Sequence, residues 1–284
     1  MSVQERQALV GPPASGKTAW LLGAWAEYGA PWGLGLAFTP EGARQLRRES
    51  QKRPDSPPLR VRTVNWLVHD LFARLGADGP RWRAIGNGGR AMVALWAWEK
   101  AAGERPAPLH RELGRAPGAG RELLRYFDLL SDSRESFSPE SFSPPPTGDL
   151  AVDEVVRAYR HYLRALRRMG RAGVLEARLV ALEELARHPE LATELVGRVM
   201  VVDDWHLASP SEAAIVERIA RGARRVIMTA DFPLAKATVD DARLCWLSER
   251  LQAMQVAVVR GGLNQSSPPR VVLGRLVGEP PPSS

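Results

Sequence analysis

Residues 8–28 read A-L-V-G-P-P-A-S-G-K-T-A-W-L-L-G-A-W-A-E-Y. An apolar run ends at a glycine, a second glycine follows five residues later, and Lys17 and Thr18 stand directly behind it. Apolar residues then recur at helical spacing. Gly11, Gly16, Lys17 and Thr18 fill the pattern G-x-x-x-x-G-K-[ST]. Each residue type has a physical task. Glycines let backbone N–H groups turn inward around an anion. A lysine at this place reaches β- and γ-phosphates, and the threonine hydroxyl ligates Mg²⁺. The helix starting here aims its positive end at the same anion. The loop Gly11, Pro12, Pro13, Ala14, Ser15, Gly16, Lys17 and Thr18 is therefore expected to bind ATP with Mg²⁺. Lysine is otherwise scarce, four residues against 35 arginines, yet one stands where a phosphate loop needs it.

Working outward, residues 7–10 predict a short buried strand and residues 18–28 a helix. Residues 33–39 (G-L-G-L-A-F-T) predict a second strand and 41–49 a helix. Residues 59–64 predict a third strand, leading into a periodic helix over 66–75. Strand and helix alternate, which argues a parallel α/β sheet with helices on both faces. From about 77 to 173 the periodicity is helical, without clear strands. Two loop-like stretches interrupt it, 103–120 and 137–148, the second too rich in Pro and Ser for a helix. Helices are expected over 152–169 and 175–187. Alternation resumes with a strand at 198–202, a helix at 211–220, a strand at 225–229 and one more at 256–260. The expected organisation is a P-loop domain in two parts, 1–76 and 174–276, split by a helical insertion at 77–173, with a disordered tail at 277–284.

A P-loop enzyme needs a carboxylate at the end of a nearby strand to hold the Mg²⁺ shell. The run R-V-M-V-V-D-D (198–204) supplies one. Asp203 is expected on the magnesium side, with Thr18 as its fellow ligand. Asp204 is expected to activate water, so Lys17, Asp203 and Asp204 form the candidate catalytic set.

Composition sets outer bounds. The net charge is +7 and the pI about 10.1, which suits a polyanion such as nucleic acid; a base-composition or high-temperature origin of the arginines is the other reading. No apolar run approaches the roughly 20 residues of a membrane span, and no secretory leader opens the chain. Cys245 stands alone, so a disulfide framework is excluded. A cytoplasmic location without a membrane partner is expected.

The order of motifs resembles the first motor domain of the UvrD/Rep/PcrA group of superfamily 1 DNA helicases, a RecA-like P-loop fold. L-A-F-T-P-E-G-A-R-Q-L-R-R-E (36–49) is similar to the family's T-F-T-N-K-A-A-x-E-M-x-x-R. R-T-V-N-W-L-V-H-D-L-F (62–72) resembles T-F-H-S-F-A-x-x-L-L. Residues 158–179 resemble Y-x-x-Y-x-x-x-L-x-x-x-x-L-x-D-F-x-D-L. V-V-D-D-W-H-L-A-S-P-S-E (201–212) stands where the family has V-D-E-x-Q-D-T-N-x-x-Q, and V-I-M-T-A-D-F-P-L-A (226–235) resembles V-G-D-x-D-Q-S-I. The resemblance runs to about residue 275. It implies ATP hydrolysis coupled to single-stranded DNA, with Thr39, Arg44, Thr63 and Trp66 on the DNA track. It also makes Trp66 and Phe232 candidates to stack on bases, with core packing the other reading for aromatic residues.

Departures are specific. Only ten residues precede Gly11, too few for the family's upstream glutamine motif. His206 and Leu207 replace its Q-D, Leu234 stands in place of the γ-phosphate-sensing glutamine, and Ser266 in place of an arginine. The second motor domain is expected from a partner domain or subunit. Three readings follow: a motor half, a degenerate DNA-binding or regulatory subunit of the AddB or RecC kind, and an unrelated P-loop kinase or switch.

Overall fold

The computed structural model describes residues 5–11, 15–27, 32–53, 56–75, 82–133, 147–231, 249–251, 254, 257–260 and 270–271. In chain order the elements are β1 (Glu5–Gly11), α1 (Lys17–Glu27), β2 (Gly33–Ala37), α2 (Pro40–Gln51), β3 (Leu59–Thr63), α3 (Val64–Leu75), β4 (Arg83–Ala84), α4 (Asn87–Glu104), α5 (Pro108–Leu113), α6 (Ala119–Asp132), α7 (Leu150–Met169), β5 (Arg171–Ala172), α8 (Val174–Arg187), α9 (Glu190–Val196), β6 (Val199–Val202), α10 (Pro210–Ala220), β7 (Arg225–Asp231), β8 (Ala257–Arg260) and β9 (Arg270–Val271). They fall into two compact units. One is Met1–Leu67, His188–Ala208 and Val216–Ser284; the other is Val68–Arg187 and Ser209–Ile215. Residues 77–173, expected as a helical insertion, lie inside the second unit, which also holds α8. The expected tail, 277–284, lies outside the described residues.

The first unit is built on a sheet of order β3-β2-β6-β7-β1-β8-β9. Neighbours from β3 to β8 pair in parallel, and β9 pairs antiparallel to β8. The α/β class expected from the alternation is the class observed. The central strands are unbroken apolar runs because both of their faces are covered. All four residues of β6 are buried. Val199 and Val201 turn to one face and join Ile227, Leu21, Leu22 and Trp25 of α1, and Leu46 of α2 in one cluster. Met200, Val202, Val226 and Met228 are buried as well. Gly33 is required here: a Cβ would lie 2.5 Å from the Trp25 ring and 3.1 Å from the Val199 carbonyl oxygen. The Trp25 indole N–H donates to the Pro57 carbonyl, 3.2 Å away. β2 stops at Ala37, two residues short of expectation, because Thr39 leaves the strand to cap α2. Its hydroxyl accepts from Gly42 N–H at 3.0 Å, and Pro40 fills the first helical turn.

The second unit is helical. Phe127 of α6 packs on Tyr159 and Tyr162 of α7, with ring centroids 5.2 and 4.9 Å apart. Helix α7 runs between a capping aspartate, Asp149, and Gly170, whose φ of 60° ends it in a left-handed turn. Two expectations need correction. Among residues 77–173 there are strands: β4 and β5 pair in parallel over two residues each, too short to carry any periodicity. The stretch 103–120 is not all loop, since it contains α5 and the start of α6. The fully buried Glu154 of α7 explains α5, because it accepts from the backbone N–H groups of Leu109 and His110 at 3.0 and 2.8 Å, as well as from the Trp98 indole.

Arg90 of α4 holds the interior of this unit. Its guanidinium donates to Tyr162 Oη (3.0 Å), Glu176 Oε1 (2.8 Å) and Asp128. Tyr162 in turn donates to Glu176 at 3.0 Å; burial, with Glu176 beside it, holds that phenol above its ordinary pKa. Glu176 has no solvent exposure. Arg90→Met should therefore destabilise the protein by about 3–5 kcal/mol, because it leaves a buried carboxylate without its counter-charge. Denaturant titration of the variant beside the wild type measures this.

Candidate functional site

In a parallel sheet the carboxyl ends of the strands lie along one edge, where crossovers leave a crevice for ligands. The register of β7 decides what meets there. β7 lies between β1 and β6, with Asp231 paired to Gly11 and Met228 to Val202. The end of β7 therefore separates the glycine loop from the acid pair that follows β6.

On the loop side, Gly16 has a φ of 79°, a conformation open to glycine, and α1 begins at the next residue. The first turn of α1 carries no acid of its own, so its positive end is not offset from within the helix. Lys17 is only 6% exposed and its ammonium pairs with Asp231. It also donates toward Ser15 Oγ at 3.4 Å. Pro12, Pro13 and Ala14 lie outside the described residues.

On the acid side, the Asp203 N–H donates to the Leu36 carbonyl at 2.9 Å, extending the β2–β6 ladder by one residue. Its carboxylate accepts from Thr18 Oγ1 at 3.1 Å and from Thr229 Oγ1 at 2.5 Å. Thr229 is fully buried, and its hydroxyl also accepts the Asp204 N–H at 3.1 Å. One buried threonine thus ties both acids to β7. Asp204 adopts φ 56°, ψ 47° and is the one non-glycine residue with positive φ among the described residues. That conformation costs an L-residue about 1–2 kcal/mol, and aspartate is among the few that visit it. It throws the chain into a short turn, Trp205–Leu207, anchored by the buried Trp205 edge-on to Phe38. The turn brings His206 back to β7, where its Nδ1 accepts the Asp231 N–H at 3.0 Å. The ring proton then belongs on Nε2, which faces Asp231 Oδ2 at 3.9 Å.

Lys17, Thr18, Asp203 and Asp204, expected from sequence to form the site, come together with Gly11, Ser15 and Gly16 beside them. Thr18 and Asp203 are 185 positions apart in the chain. Sequence reasoning missed Thr229 and Asp231, and treated His206 only as a departure. The signal was present in V-I-M-T-A-D, an apolar strand ending in an acid, the same pattern that pointed to Asp203.

The expected DNA residues lie elsewhere on the same unit. Thr39 and Thr63 are helix caps: Thr63 Oγ1 accepts the Trp66 N–H at 3.4 Å, as Thr39 does for Gly42. Thr39 stands two residues beyond the carboxyl end of β2, and Thr63 is the last residue of β3. Arg44 is exposed and ion-pairs with Glu41 at 3.0 Å. Trp66 is 51% exposed, with the Arg62 guanidinium 4.3 Å above its ring. Phe232, Leu234 and Ser266 lie outside the described residues.

The donor set suits Mg²⁺. The Thr18 hydroxyl and the Asp203 carboxylate are hard oxygen ligands already within hydrogen-bonding distance, and Mg²⁺ commonly takes one or two protein oxygens and keeps several waters. Asp204, His206 and Asp231 form an adjoining cluster whose ligand atoms lie within 4.8 Å of one another. Among the described residues no helix is long and apolar enough to cross a membrane. No family model matches the chain, and a search of curated proteins finds no match either.

The Asp204 carboxyl is held above the ordinary aspartate pKa, first by burial and then by Asp203, with Asp231 adding to the shift and His206 and Lys17 opposing it. Between the ordinary and the raised value the folded state binds more protons than the unfolded one. The stabilising contribution of this group is full below about pH 4 and is lost as pH rises through the raised value. Asp204→Asn, which tolerates the same backbone conformation, should melt at a higher temperature than wild type at pH 7. The difference should shrink as the pH is lowered toward 4. Thermal melts over that range are the check.

Proposed function

We propose that this chain is a RecA-like P-loop nucleoside triphosphatase, the first motor domain of a UvrD-like DNA helicase. It binds ATP with Mg²⁺ and single-stranded DNA in the cytoplasm, and works with a second motor domain or subunit. The observation that carries this reading is the meeting of Lys17, Thr18 and Asp203 at the carboxyl edge of a parallel sheet, with the glycine loop and helix α1 leading into it.

In this reading the inward N–H groups at Gly16 and the start of α1 cradle the phosphates, and Lys17 bonds the β- and γ-oxygens. Thr18 and Asp203 hold Mg²⁺, which when bound neutralises charge on the phosphate oxygens. Asp204 orients and deprotonates the attacking water. A carboxylate pKa raised from its ordinary value, by burial and by Asp203 beside it, makes a stronger base when ionised. Thr229 fixes the spacing of the two acids. Trp66, exposed beside Arg62, offers a base-stacking face, and the basic chain suits a phosphate backbone. The partner would supply an arginine to the γ-phosphate, a group worth about 10³–10⁵-fold in related phosphoryl transfer. A second reading is a regulatory subunit that binds ATP but hardly turns it over. His206 and Leu234 in place of glutamines favour it.

Steady-state ATP hydrolysis by the purified chain, with and without single-stranded DNA, tests the proposal beside Lys17→Ala. The motor reading expects DNA-stimulated turnover that falls at least about 100-fold in the variant. Lys17-dependent nucleotide binding without turnover would support the regulatory reading. Absence of Lys17-dependent binding would overturn both. For the DNA track, Trp66→Ala should weaken single-strand binding by about 1–3 kcal/mol, measured by fluorescence anisotropy of a labelled oligonucleotide.

A further inference from the structure

Lys17 is nearly buried, and a buried ammonium needs a counter-charge. Asp231 supplies it. The position of this carboxylate is set by the backbone. Asp231 is the sheet partner of Gly11, the first residue of the phosphate loop, and its N–H is held by His206 Nδ1 at 3.0 Å. A phosphate reaching the Lys17 ammonium competes with this carboxylate for its N–H donors. Asp231 stays close in either case, because β7 holds its backbone beside Gly11. The incoming anion then faces Asp203, Asp204 and Asp231 together.

We infer that Asp231 is a specificity-determining residue that makes nucleotide binding depend on a divalent cation. This rests on the phosphate-loop reading of Gly11–Thr18. With Asp231 on Lys17, a metal-free triphosphate brings four negative charges to a group of three carboxylates and must also compete with an existing ion pair. The magnesium complex carries two charges fewer, and its cation gives the Asp231 carboxylate a new partner. Asp231 therefore rejects the free nucleotide more strongly than the metal complex. A residue that merely closed the end of β7 would affect both forms alike.

The test is equilibrium binding of ATP by isothermal titration calorimetry, in Mg²⁺ and in EDTA, on wild type, Asp231→Asn and Lys17→Ala. Asp231→Asn removes the charge while keeping the shape. It should bind metal-free ATP at least about ten-fold more tightly than wild type, the scale of one charge-assisted contact, with a smaller change for the magnesium complex. The ratio of the two dissociation constants should fall accordingly. If Asp231→Asn keeps the wild-type ratio, or binds both forms more weakly, while Lys17→Ala abolishes binding, the role given to Asp231 is wrong and the phosphate-loop reading stands. If neither wild type nor Asp231→Asn binds ATP in either condition, both fail. Should Asp231→Asn not fold, Asp231→Ser gives the same readout.

Discussion

The constraint on which the rest depends is the backbone ladder that holds β7 between β1 and β6. Hydrogen bonds across parallel strands fix register residue by residue. Asp231 can therefore lie nowhere but beside Gly11, and Met228 nowhere but beside Val202. Thr229 follows one step beyond Met228, at the height of the acids that leave β6. No loop has to find its place for this meeting to occur. The side chains that touch, Lys17 with Asp231 and Asp203 with Thr229, come from the ends of regular elements. Such elements hold a site more precisely than loops do.

The arrangement carries a cost that packing elsewhere must offset. A lysine is nearly buried, three carboxylates crowd its surroundings, and Asp204 holds a backbone conformation that most side chains avoid. Strain and like charge of this kind collect where a protein does chemistry or binds charge. Around them the sheet is dry: β6 is fully buried, Trp25 packs against Val199, Val201 and Ile227, and Trp205 is buried edge-on to Phe38. Lys17 and Asp231 pair across elements, and Asp203 accepts from Thr18 and Thr229, which offsets part of the crowding.

Much of this was legible in the sequence, for local reasons. Unbroken apolar runs marked β1, β6 and β7, since strands buried on both faces need no polar alternation. The glycine loop was legible because its chemistry demands particular residues at fixed spacing, and Asp203 and Asp204 because acids ended a strand. What stayed hidden depends on contacts distant in sequence. Nothing in V-I-M-T-A-D says that its strand inserts between the first and sixth, so Thr229 and Asp231 went without roles. Helix α5 hid in a stretch of Gly, Pro and Arg because the group that satisfies its first N–H donors, Glu154, lies 44 and 45 residues further along. The pair β4 and β5 is too short to show any period. Thr39 looked like the end of a strand, whereas its hydroxyl starts a helix.

The bonds around Asp203 also have a direction. Two hydroxyls give it their protons, and each hydroxyl has one to give. Thr229, having spent its proton on Asp203 Oδ1, can only receive from the Asp204 N–H. The polarity of the chain is thereby settled, with every arrow pointing toward the same carboxylate. Thr229 addresses Oδ1, whereas Thr18 lies nearer Oδ2, at 3.1 Å, than Oδ1, at 3.4 Å. The two oxygens are therefore not equivalent. Oδ1 is the fixed end that anchors the side chain to the sheet, and Oδ2 is the end with lone-pair capacity to turn outward.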